Sequence, residues 1–216
     1  MSAAREQILE RVRAATRDVP EAEGPDDVAV ARDYRHRYEL HGNELIERFA
    51  ERVADYNATV RRVRREQLGD IIVEVLSARG ATKVVVPPDL PGEWKPDGGV
   101  EAVVDADLSH EALDSMDGVI TGCAVGIAET GTIVIDGGAR QGRRAISLLP
   151  DYHLCVVESD QVVGGIPEAV ARVGETVRRT GRPVTFISGP SATSDIELNR
   201  VEGVHGPRTL EVLIVG

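Results

Sequence analysis

The sequence has no cationic excess, almost no lysine and almost no cysteine, and each shortage removes a class of function. The formal net charge is −11. Residues 1–70 carry 13 arginines against 15 acids, whereas residues 71–216 carry 12 bases against 21 acids. A phosphate-backbone binder needs the opposite balance, so nucleic acid is not an expected partner. The one dense basic run, Arg61, Arg62, Arg64 and Arg65, precedes a helical pattern and reads as a solvated surface. Lys83 and Lys95 are the only lysines. No Gly-Lys-Ser/Thr triplet exists, which excludes a P-loop. Lys83 opens a strand pattern and Lys95 lies in a Pro/Gly loop, so neither suits Schiff-base chemistry.

Cys123 and Cys155 are the only cysteines, both set in apolar sequence. Two thiols cannot hold an iron–sulfur cluster or a structural zinc in one chain, and they read as small buried hydrophobes of a reducing compartment. No stretch reaches the roughly 18–20 apolar residues of a membrane span. The N-terminus carries charges every few residues, unlike a secretory signal. The expectation is a cytoplasmic protein with no membrane span.

What is present is a globular composition, 42% hydrophobic over 216 residues, enough for one folded domain with a helical extension. Residues 1–17 read as an amphipathic helix with Ile8, Leu9 and Val12 on one face and Ser2 as a cap. Residues 18–33 combine proline, glycine and clustered acids with little periodicity. The predicted division is therefore an N-terminal helical arm and acidic linker over 1–33 and an α/β domain over 34–216.

Within that domain, residues 43–57 form a helical stripe with Asn43 as candidate cap. Residues 59–63 are strand-like, residues 67–78 helical, and residues 83–86 and 100–104 are short apolar strands. Residues 118–136 are apolar and punctuated by glycine, predicting two strands with a turn at 129–131. Residues 153–157, 184–187 and 210–215 complete the strands, and residues 167–179 form a helix with proline in its first turn and Gly181 beyond its end. Short Val/Ile-rich strands alternating with helices predict a mostly parallel sheet with helices on both faces.

Open α/β sheets bind ligands at the carboxyl ends of their strands, and three segments carry suitable residues. In GIAETGTIVID (126–136), Glu129 sits at a turn permitted by Gly131, beside Thr130 and Thr132. It reads either as a solubilising turn residue or as a nucleophile, base or ligand contact. In FISGPSATSDIELN (186–199), Gly189 and Pro190 break a strand, and Ser191, Thr193 and Ser194 bring hydroxyls to a helix start. Ser194 and Glu197 fit a capping box, while the same segment fits an anion cradle. In GVHGPRTLEV (203–212), His205, Gly206 and Arg208 form a Gly/Pro-framed loop suited to a carboxylate or phosphate, or simply a polar turn.

Taken together, GIAETGTIVID, SLLPDYHLCVVE, ISGPSATSDIE and VEGVHGPRTLEVLIV resemble the LUD domain family of lactate utilisation protein C (LutC, YkgG-like). The resemblance spans about residues 40–216, and GPSxTxDIE with GVHGPR is its most specific part. It implies a NagB/RpiA/CoA-transferase-like fold and a role in oxidising L-lactate to pyruvate beside two iron–sulfur partner proteins (LutA-like and LutB-like). No cofactor is expected in this chain, and any cluster belongs to the partners. The three loop segments together give the expected site: Glu129 as the reacting or binding carboxylate, with Thr130, Gly131, Thr132, Gly189, Pro190, Ser191, Thr193, Ser194, Asp195, His205, Gly206 and Arg208 around a small anion. The family's glycine-rich strand is expected nearer TGADAAIAETGT. This chain has Cys123 and Ala124 there, so no role transfers to the missing acid. Ser194 stands where alanine is expected. A stand-alone acyl-transfer enzyme using Glu129, and a non-catalytic assembly subunit, remain open at this point.

Overall fold

Alternation of residues along its longest strands sorts this chain into layers. The computed structural model describes residues 3–20, 22–24, 27, 29–193, 201–202 and 206–216, with backbone alone at 191–193 and 201–202. It divides into two units, Met1–Tyr34 and Arg35–Gly216. The first holds α1 (Ala3–Ala15), which buries none of its residues. Its expected cap, Ser2, lies outside the described residues.

The second unit begins with α2 (Gly42–Asp55), β1 (Thr59–Val63), α3 (Leu68–Ala78), β2 (Lys83–Val86), β3 (Glu101–Val104) and α4 (His110–Asp114). It continues through β4 (Gly118–Thr121), β5 (Val125–Ile127), β6 (Thr132–Ile135), β7 (Tyr152–Glu158) and β8 (Val162–Val163). Then come α5 (Ile166–Thr180), β9 (Thr185–Ile187), β10 (Ser191–Thr193), β11 (Val201–Glu202) and β12 (Thr209–Val215). Six strands make one sheet in the order β1-β12-β7-β4-β2-β3, and every neighbouring pair in it is parallel.

In β7, Leu154 and Val156 face α3, packing with Leu68, Ile72, Val75 and Leu76. Cys155 and Val157 face the other way, toward Ile46, Phe49 and Val53 of α2. In β12, Leu213 and Val215 join the first cluster, Val212 and Ile214 the second. This period of two is what a strand buried on both faces requires. The α/β class, with a mostly parallel sheet and helices on both faces, agrees with the sequence reading.

Two local readings change. The stretch 118–136 holds three strands, not two, because the chain leaves the main sheet after β4. The N–H of Gly122 donates to Arg140 O at 2.7 Å and that of Ala124 to Val134 O at 2.9 Å, so pairing passes to a second sheet of order β8-β5-β6-β9. One face of this sheet (Ala128, Ile133, Ile135) packs toward α2 and the main sheet. The other (Val125, Ile127, Val134) takes Ala169 and Val173 of α5. Apolar burial on both sides hides that break. Asn43, expected as the cap of α2, lies inside the helix and donates to Glu47, and His41 holds the capping position without a side-chain bond. α5 starts with Pro167 near its N-terminus and ends at Gly181 in left-handed backbone, as its sequence asks.

Candidate functional site

Polar residues in a doubly buried strand must find partners, and His153 is such a residue. It is the second residue of β7 and sits in register between Val119 of β4 and Leu210 of β12. Its side chain is wholly buried. Nε2 lies 2.7 Å from Oγ1 of Thr121, itself wholly buried on β4. Nδ1 has no hydrogen-bond partner among the described residues. An unsatisfied buried polar atom of this kind costs about 1–3 kcal/mol.

Beside His153 opens a cavity of about 350 Å³, at the amino ends of β7 and β12. Arg144 and Ser147, Thr185 to Pro190 from β9 onward, Gly206, Pro207 and Leu210 form its remaining wall. Arg144 and Ser147 come from one 3-10 turn whose Ile146 is fully buried, which anchors the turn. Ser147 is buried and donates to Arg144 O at 3.2 Å. Arg144 is exposed and donates to Ser147 Oγ at 3.3 Å. It forms no ion pair among the described residues. Its neighbour Arg143, by contrast, grips Asp105 through Nε at 2.7 Å and Nη2 at 2.9 Å.

Sequence reasoning expected the ligand at the carboxyl ends of the strands. There Glu158, closing β7, is taken up by Arg65 and by Arg140 at 3.1 Å, and Arg65 foremost holds its carboxyl below the usual range. A cavity of about 500 Å³ does lie at the ends of β1 and β12, between Arg62, Arg64 and the start of α2. No unpartnered buried side-chain atom faces it among the described residues.

Of the residues singled out from sequence, Gly189, Pro190 and Gly206 line the first cavity. Gly189 has φ +73°, and a Cβ there would stand 2.5 Å from the Tyr56 carbonyl oxygen, so only glycine lets the chain pass α2. Thr130 and Thr132 reach the same wall indirectly. Thr130 Oγ1 is 2.7 Å from Thr132 Oγ1, which is 2.8 Å from Oγ of the lining Ser188. Gly131 turns the chain between β5 and β6.

Glu129 is elsewhere. It is exposed, its N–H donates to Gly164 O at 3.0 Å, and its carboxylate accepts from the Tyr38 hydroxyl. That bond raises the Tyr38 hydroxyl above its ordinary range. The carboxylate lies beside Gly165, which caps α5, where the helix dipole favours negative charge. Arg208 is also engaged: Nε reaches Asp151 Oδ1 at 2.7 Å and Nη2 reaches Oδ2 at 2.5 Å. These bonds hold the Asp151 carboxyl below its usual range. Arg208 is not among the lining residues of the cavity.

Ser191 and Thr193 belong to a strand, not a helix start, because their backbone pairs antiparallel with β11. Ser194, Asp195, Glu197 and His205 lie outside the described residues. Both cysteines are buried, and the Cys123 thiol is pushed well up by its hydrogen bond to Cys155 and by burial. Among the described residues no helix is long and apolar enough to cross a membrane.

Sequence reasoning missed His153, Arg144, Ser147 and Ser188. Only His153 gave a signal, a single basic ring opening the apolar run HLCVV. Among the described residues the cavity offers a guanidinium without a carboxylate beside a partly apolar wall. This suits a small anion.

Comparison with known proteins places the chain in a family. A family model for the LUD domain matches residues 46–215. Lactate utilization protein C of Deinococcus radiodurans is 49% identical over 173 residues, 80% of each chain. The protein of that name from Geobacillus kaustophilus is 30% identical over 166 residues, 69% of each chain. The uncharacterized protein YkgG of Escherichia coli is 33% identical over 125 residues, 56% of this chain and 51% of that one. The crystal structure of a DUF162 family protein from Deinococcus radiodurans superposes with a TM-score of 0.72 at 43% identity, covering 82% of this chain and 99% of that one.

Proposed function

This chain belongs to the LUD-domain family, and from that premise we propose that it serves lactate utilisation, binding a small anion in the cavity between its two sheets. The single observation behind the role is its 49% identity to a protein named Lactate utilization protein C. The observation behind the site is Arg144, a cavity-lining cation with no carboxylate partner among the described residues. A planar guanidinium there can take a carboxylate in a bidentate grip.

Oxidation of lactate to pyruvate releases two electrons, and two buried cysteines are too few to ligate a cluster that would carry them. The reading therefore includes LutA-like and LutB-like iron–sulfur partners, which hold the clusters, and a cytoplasmic setting in keeping with two unpaired thiols. Acyl transfer through Glu129 is not favoured, since that carboxylate is taken up by the Tyr38 hydroxyl and is not among the residues lining the cavity.

The test has two parts. A strain lacking the protein should fail to grow on L-lactate and recover with the unaltered gene, and tagged protein should co-purify with iron–sulfur proteins during growth on lactate. Normal growth of the deletion strain overturns the role. In calorimetry the isolated protein should bind L-lactate and lose affinity on Arg144→Ala; an unchanged affinity in that variant overturns the site.

A further inference from the structure

We infer that the outer face of α5 and the free edge of β9 form a two-fold interface with a second copy of this chain, the two β9 strands pairing antiparallel. The helix shows where its surplus of apolar surface points. Ala169 and Val173 are buried against the second sheet. Arg172, on one flank, donates to the carbonyl oxygens of Gln161 and Asp160, both at 3.1 Å, just before β8. At 3.6 residues per turn, Ile166, Val170 and Val177 fall on the opposite flank, which the order β8-β5-β6-β9 sets on the β9 side. Phe186, the middle residue of β9, pairs in register with Val134 and so shares its face of the sheet, the face that packs on α5. These four side chains make one patch between helix and strand, each 36% to 50% exposed. Among the described residues no strand covers the outer edge of β9. An apolar patch beside an open strand edge is an association surface.

Charge selects the occupant. Arg178, in the last turn of α5, and Arg182, which donates to Gly137 O at 2.7 Å, form no ion pair among the described residues. They mark the end of the patch where the chain enters β9. At the other end stand Glu168, in the first turn of α5, and Glu129, beside Gly165. The turn that follows Glu129 reaches the end of β9 through Thr132 and Ser188, 2.8 Å apart. The patch is therefore basic at one end and acidic at the other. A second copy related by a two-fold axis runs in the opposite direction, so each basic end meets an acidic one and the α5 dipoles oppose. A parallel arrangement sets like charge against like. Pro183 and Pro190 bracket β9 and keep the pairing short, so apolar contact between the α5 stripes and the two Phe186 rings carries the interface. Thr185 and Ile187 also line the first cavity, which places the second copy beside that site.

Light scattering and sedimentation of the full chain test this. The unaltered protein should have the mass of two copies. Val170→Glu alters an exposed side chain, so it should keep the parent's circular dichroism yet run as a single copy at the same concentration. Arg178→Glu combined with Arg182→Glu makes both ends of the patch acidic and should weaken association about tenfold or more. Glu175→Arg, almost half a turn round α5 from the apolar stripe, is the control and should leave association as it was. An unaltered chain that stays a single copy overturns the inference and leaves the face to a different partner. A dimer as tight in Val170→Glu as in the parent places the contact elsewhere and overturns it too, and full affinity in the double arginine variant overturns the antiparallel placement. Should Val170→Glu fail to fold, amide exchange in the unaltered chain decides. The amides of residues 185–187 should exchange faster once dilution separates the copies, and exchange that ignores dilution refutes the pairing.

Discussion

Gly131→Ala should be far more damaging than its place in an apparently ordinary turn suggests. Gly131 has φ +59°, and a Cβ built on it would stand 2.4 Å from the carbonyl carbon of Arg52, 2.5 Å from its oxygen and 2.6 Å from the Val53 nitrogen. Those atoms are backbone of α2, which cannot swing aside as a side-chain tip would. Left-handed backbone costs alanine about 1 kcal/mol relative to glycine. Forcing one methyl into packed backbone adds about 1–3 kcal/mol, for a total of about 2–4 kcal/mol. In a chain of this size that lowers Tm by about 5–15 °C. Gly80→Ala is the control, since Gly80 has φ +69° with nothing within 4 Å of its virtual Cβ, so only the backbone cost of about 1 kcal/mol applies. Urea unfolding of both variants, with unchanged m-values, reads the difference directly. If Gly131→Ala costs no more than Gly80→Ala, the close approach of this turn to α2 is wrong.

Three other variants probe the rest of the frame. Asp105 accepts from Arg143 and from the Leu108 N–H at 3.1 Å, and Arg143 above all holds its carboxyl below the usual range. A folded-state value below the unfolded one gives stability that is full above about pH 4 and lost as pH falls through the folded value. Asp105→Asn should therefore be less stable near neutrality by about 1–3 kcal/mol, with the deficit shrinking on acidification to about pH 3; a deficit that does not depend on pH refutes the ion-pair account. Phe49→Ala, removing a fully buried ring that lies against Gly126, should cost about 3–5 kcal/mol in chemical denaturation, and a loss below about 1 kcal/mol would mean that α2 is not seated there. Asp151→Ala frees Arg208 from an exposed pair, so it should change stability by no more than about 1 kcal/mol and leave L-lactate affinity as it was; a loss matching that of Arg144→Ala would place Arg208 in the site.

The main sheet was legible because its strands are continuous Val/Ile runs, such as KVVV and HLCVV, that no other buried element of that length explains. α4 was not, since five residues cannot display a helical period, and only Ser109, accepting from Ala112 N, marks its start. β8, with two residues, is defined solely by pairing with β5. The passage from β4 to β5 was hidden for a different reason. Burial is complete on both sides of Gly122, so the apolar pattern continues while the hydrogen-bond partner changes from β7 to β6.

The site was legible where it depends on backbone shape and illegible where it depends on charge partners. Gly189, Pro190 and Gly206 stand out in any reading, because a strand that must break beside α2 needs a residue without a Cβ, and the structure sets all three in the cavity wall. Charged residues carry no such local mark. Glu129, Arg143, Arg144 and Arg208 look equivalent in sequence, yet three of them are claimed by Tyr38, Asp105 and Asp151, which lie 91, 38 and 57 positions away. Among the described residues, Arg144 differs only in forming no ion pair, and His153 only in having one nitrogen answered by Thr121 and the other not. A candidate binding group in this fold is thus found by subtraction, once tertiary pairing has used up the rest. That explains why the acid at the conspicuous turn drew attention while the arginine and histidine of the cavity did not.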